Sequence, residues 1–144
     1  MTPLTRPKIV PELYCSDIRR SLRFYVEVLA FTVRRERPEE RFASLERGGA
    51  ELMIEQTVDE SRTLLAGEAQ FPFGRGVNLQ IEVEAVDALC DRVQAAGSQI
   101  FLPLEGHLYR VRDTAEGGNR QFVVQDPDGY LLRFWQDMGE RDAL

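Results

Sequence analysis

Residues 125–135 read QDPDGYLLRFW. The first half is a tight turn: Pro127 presets φ, an Asp on either side can cap the turn through its own side chain, and Gly129 tolerates positive φ. The second half alternates as a strand does. Tyr130, Leu132 and Phe134 therefore share one face, and Leu131, Arg133 and Trp135 share the other.

Working back from this strand, RQFVVQD (120–126) and SQIFLPL (98–104) have the same extended character, with a poorly defined extended region around LYRVRD (108–113) between them. Before these, VNLQIEVE (77–84) alternates as a strand. Val86, Leu89, Val93 and Ala96 then line a helical face that ends at Gly97, where a C-cap belongs. The order is β-α-β-β-β.

The same order opens the chain. KIVPELYCSD (8–17) reads as a strand, followed by a helix with Ile18, Leu22, Tyr25 and Leu29 on one face behind a Ser16 or Asp17 cap. FTVRRER, RFASLERG and AELMIEQ follow as short strands, with Gly48-Gly49 turning the last pair into a hairpin. The two opening strands lie about 68 residues apart, an internal repeat. The expected organisation is a single α+β domain over 1–144, with a first βαβββ unit at about 8–56, a linker at about 57–76 and a second unit at about 77–137. The linker carries QFPFGRG, whose Phe71 and Phe73 either plug the seam between units or line a binding site.

Composition agrees with one folded domain of 144 residues: 43% hydrophobic and 29% charged, without a low-complexity run. The net charge of -6 argues against nucleic acid and anionic lipid as partners. No segment approaches the roughly 18 apolar residues of a membrane span, and MTPLTRPK lacks the apolar run of a signal peptide, so a cytoplasmic protein is expected. Cys15 and Cys90 sit in apolar-patterned segments and are read as buried thiols. With one histidine, His107, placed in the irregular region as a surface or hinge residue, a structural zinc site is not expected.

One helix per unit can cover only one side of its strands, so each open sheet face must meet water or help form a cleft. LYCSDIRRSLRFYVEVLAF, IEVEAVDALCDRVQAAG and GGNRQFVVQDPDGYLLRF, in this order and spacing, resemble the vicinal oxygen chelate superfamily, the fold of glyoxalase I, extradiol dioxygenases, fosfomycin-resistance enzymes and bleomycin-resistance proteins. The resemblance covers nearly the whole chain. It implies two βαβββ units forming a cupped mixed β-sheet with helices on the outer face. Its metal-using members draw ligands from the first and a late strand of each unit; those places fall here on Val10, Met53, Asn78 and Arg133. Such residues make no divalent-metal site, although a two-residue slip would keep the facing and offer Glu12, Glu55 or Glu82.

Fixing those four places inward fixes their neighbours two residues away. The cup then holds Glu12, Tyr14, Met53, Glu55, Asn78, Gln80, Arg133 and Trp135, with Phe71 and Phe73 nearby, while Ile9, Leu13, Cys15, Leu132 and Phe134 lie under the helices. Acids and aromatic rings together suit a cationic or planar ligand. The closest resemblance is to the bleomycin-resistance proteins, which implies a metal-independent, cofactor-free protein that sequesters a bleomycin-type drug as a strand-exchanged homodimer. The alternative is a metal-dependent glyoxalase-, dioxygenase- or fosfomycin-resistance-like enzyme.

Overall fold

The computed structural model describes residues 6–57 and 64–142. The chain divides into two compact units, Met1–Phe71 and Pro72–Leu144. Each repeats the expected order of elements.

In the first unit, β1 (Glu12–Cys15) leads into α1 (Ile18–Leu22), which continues as a π-helical stretch over Arg23–Val28. Asp17 caps this helix, its Oδ1 accepting the amides of Arg19 and Arg20 at 3.0 and 3.2 Å. Then come β2 (Thr32–Arg37), a short 3-10 turn, β3 (Phe42–Arg47) and β4 (Ala50–Gln56). The sheet order is β1-β4-β3-β2, with β1 parallel to β4 and the other pairs antiparallel. Gly48 and Gly49 both have positive φ, 54° and 89°, as a two-residue hairpin requires.

The second unit runs β5 (Asn78–Glu82), α2 (Val86–Ala95), β6 (Ile100–Arg112), β7 (Ala115–Gln125) and β8 (Leu131–Asp142). Its order, β5-β8-β7-β6, is that of the first unit, again with one parallel pair, β5 and β8. Hydrogen bonding thus builds two separate four-stranded mixed sheets among the described residues, where the sequence led to one cupped sheet.

Burial follows the alternation. Leu13, Cys15, Leu45, Leu52 and Ile54 join Tyr25 and Leu29 in the first core. Ile81, Val124, Leu132 and Phe134 join Val86, Leu89 and Val93 in the second, where Phe122 and Phe134 stack at 5.5 Å between centroids. Both cysteines are free and buried. No helix among the described residues is long and apolar enough to cross a membrane.

Two expectations need correction. Ile9 is 84% exposed rather than packed under the helix, because β1 begins only at Glu12: Pro11 has no N–H to extend the ladder and contributes just its carbonyl, which accepts the amide of Met53 at 2.8 Å. The region around 108–113 is more regular than expected: β6 runs through it to Arg112, its pairing with β7 shifting only between Arg110 and Arg112, so His107 lies within a strand, its ring stacked on that of Tyr109.

Candidate functional site

The face of the first sheet opposite α1 follows from the register. Glu12 lies beside Met53, and Tyr14 beside Glu55. Across the antiparallel ladder, Ser44 pairs with Met53 and Phe42 with Glu55. The sequence therefore brings Glu12, Tyr14, Met53 and Glu55 together as expected, but it missed Phe42 and Ser44, which are 7% and 5% exposed on the same face. The Arg37 guanidinium sits 4.2 Å over the Phe42 ring.

This face is acidic. Glu51 is ion-paired with Arg34, and Glu46 accepts the amide of Gly49 at 3.0 Å. Glu55 is the unsettled member: burial raises its pKa, as do a hydrogen bond with the Glu12 carboxyl and the charges of Glu12 and Glu40, against a lowering influence of Arg37. A hydrogen bond between two carboxyls needs one of them to hold a proton.

The open face of the second sheet has a different character. Asn78 lies beside Leu131, Gln80 beside Arg133, and Glu82 beside Trp135. On the other flank of β8, Val123 pairs with Arg133 and Gln121 with Trp135. Gln121 donates to Glu105 at 3.1 Å. The same face continues along β6 to His107, expected from the sequence as a surface or hinge residue, and to Tyr109. Asn78, Gln80, Arg133 and Trp135 therefore do share one surface, built of amides, one cation and an indole.

Phe73 belongs to the turn. Its ring meets Tyr130 edge-on at 5.9 Å, and its amide donates to Asp128 at 2.8 Å. Asp126 closes that turn, its Oδ1 accepting from the amides of Asp128 and Tyr130, both at 2.9 Å. Phe71 lies in the linker and is 62% exposed. A cavity of about 470 Å³ opens at the start of α1, lined by Asp17, Arg19, Glu36, Arg41, Phe42 and neighbours; none of the binding residues expected from the sequence lines it.

The sequence model of the "Glyoxalase/Bleomycin resistance protein/Dioxygenase superfamily" matches residues 8–134. The chain belongs to this superfamily. TioX from Micromonospora sp. ML1 is 27% identical over 90% of this chain and 98% of its own, with a TM-score of 0.68. A superfamily member from Vibrio splendidus 12B01 is 43% identical over 89% of this chain and 97% of its own, with a TM-score of 0.40. A protein of unknown function from Agrobacterium tumefaciens str. C58, 24% identical over 92% of this chain and 95% of its own, has the same fold, with a TM-score of 0.67. No curated protein matches the chain.

Superfamily membership raises the question of a metal. The β1–β4 register sets Met53 beside Glu12 just as the β5–β8 register sets Arg133 beside Gln80, so the first unit's places hold an aliphatic side chain, Val10, and a thioether, Met53. In the second unit the places hold a neutral amide, Asn78, and a permanent cation, Arg133. Among the described residues no three His, Cys, Asp or Glu side chains lie close enough together to hold a metal ion. The donor set does not fit a divalent metal.

Proposed function

We propose that the chain is a metal-independent small-molecule binding protein of the bleomycin-resistance type, sequestering a cationic or aromatic antibiotic. The observation that carries this reading is the donor chemistry at the superfamily's ligand places, where Val10, Met53, Asn78 and Arg133 stand. What remains on each sheet is a recognition surface. Glu12 and Glu55 would meet a cation, and Tyr14, Phe42 and Trp135 would supply ring faces. Met53, Asn78 and Gln80 would add contact and hydrogen bonds, and Phe71 and Phe73 would offer rings from the linker.

The proposal extends to a homodimer with exchanged strands. β6 is a 13-residue edge strand that carries the exposed Phe101, Leu108, Tyr109 and Val111, with Leu108 and Tyr109 on opposite faces, an edge a second copy could cover. A cytoplasmic setting suits the two free thiols.

Calorimetric titration of metal-stripped protein with a bleomycin-class drug tests the reading. Stoichiometric binding, unchanged by stripping, is expected, together with a dimer mass by light scattering. About one tightly held Zn, Ni, Mn or Fe per chain, needed for turnover of a substrate, would replace sequestration by the enzymatic reading.

A further inference from the structure

Arg133 is a permanent cation in the middle of a sheet face. Gln80 flanks it on β5 and Val123 on β7, with Trp135 two residues further along the same strand. Its Nε is buried, and no acceptor among the described residues meets it. Five other arginines behave differently: Arg34, Arg37, Arg112, Arg120 and Arg141 each pair with a carboxylate. Two acids lie near Arg133 on this face. Glu105 accepts from Gln121, and Glu82 stands exposed beside Trp135, in ion-pair range of no described cation.

A buried donor left without an acceptor is costly, and of the three buried side-chain polar atoms without a partner among the described residues, with Ser21 Oγ and Asn119 Oδ1, only this one belongs to a permanent cation. Arg133 as a whole is only half-buried, and the planar fork of N–H groups of a guanidinium matches the two oxygens of a carboxylate. Strand geometry sets the Cα of Trp135 about 6.5–7 Å from that of Arg133, with both side chains on the same face. The side-chain amides of Gln80 and Asn78 add donors and no charge. We infer that the open face of the second sheet binds the carboxylate of an aromatic acid, with the Arg133 guanidinium as anchor and Trp135 against the ring. This subsite stands on the second sheet alone. It does not rest on the antibiotic reading, and failure of a cationic drug to bind leaves it untouched.

The test follows the Arg133 Nε–H and Trp135 indole N–H resonances of the ¹⁵N-labelled chain during titration with 2-naphthoate, its neutral counterpart 2-naphthamide, and inorganic phosphate. The arginine resonance is assigned by its loss in Arg133→Lys. Naphthoate should shift both resonances together and saturate, with the amide weaker by at least about tenfold, as removal of one charge-assisted forked pair requires. Phosphate, which has no ring, should leave the indole signal unmoved. Arg133→Lys, which keeps the charge and loses the fork, should also bind naphthoate at least about tenfold more weakly. Equal binding of acid and amide, phosphate binding as tight as naphthoate, no response at millimolar naphthoate, or undiminished binding by Arg133→Lys would each overturn the inference. Should the variant not fold, the acid and amide comparison on the unaltered chain decides.

Discussion

Gln136 accepts the amide hydrogen of Val86 at 3.1 Å, and so a side chain of the last strand caps the helix of its own unit from 50 residues away. Ala85, at the N-cap position, has no side chain able to do this. In the first unit Gln56 does the same for Ile18 at 3.0 Å, but there Asp17 already serves two further amides. Gln136→Leu should therefore destabilise the chain by about 1 kcal/mol in urea denaturation, as loss of a helix cap does. Gln56→Leu should cost less. Equal losses would mean that the local cap contributes nothing.

Phe134 and Trp135 are adjacent and should fail differently. Phe134 is fully buried against Phe122, and Phe134→Ala should cost roughly 3–5 kcal/mol of stability. Trp135 is half-buried on the open face. Trp135→Ala should leave the fold nearly intact and weaken binding of a planar ligand by on the order of 1 kcal/mol or more. Thermal melting and titration of the two variants side by side measure both effects.

The Glu12–Glu55 pair makes stability depend on pH. Glu55 has a raised pKa in the folded chain, so the folded state holds its proton more tightly than the unfolded state does. Its contribution is fully present below the ordinary glutamate pKa and is lost as pH rises through the raised value. Glu55→Gln should remove this step, raising Tm at neutral pH relative to the parent while changing little in acid. An unchanged pH profile would place the shared proton elsewhere.

The DPDG turn is held from two sides. Gly129 has φ of 103°, and a Cβ there would lie 2.5 Å from Pro72 Cα and Cβ. Gly76 also has positive φ, 86°, but open space around it. Gly129→Ala should cost about 1–3 kcal/mol from backbone strain and more from the collision, whereas Gly76→Ala carries the strain alone. Chemical denaturation of the two should rank them in that order.

Most of this fold was legible because one side of each sheet is buried. Where one face packs under a helix, a period of two is written into the chain, and the order and faces of β1, β4, β5 and the start of β8 could be read from it. The signal fades where burial stops being one-sided. Phe42, Ala43, Ser44 and Leu45 are all buried, so alternation in β3 could not reveal that Phe42 and Ser44 line the open face. The outer part of β6 has the opposite problem, with residues 105–112 exposed on both faces, and no buried stripe to mark it as a strand. What does mark it is subtler. The Tyr109 ring lies over Gly117 so closely that a Cβ there would come within 2.6 Å of it, and the GG pair at 117–118 is the sequence trace of that fit. Arg133 was legible as a residue and not as a chemistry, since only the structure reveals a buried Nε without an acceptor.

The parallel pairing of β1 with β4, and of β5 with β8, has a consequence for synthesis. In each half the strand that leaves the ribosome first hydrogen-bonds the strand that leaves last, and the helix between them waits for its distant glutamine. Neither half can close its ladder from local contacts, which makes both slow to complete and leaves their opening strands unpaired in the nascent chain. Because each sheet closes within its own unit, the first half can finish while the second is still being translated. The repeat thus limits the length of chain that must remain unfinished at any moment to about one half.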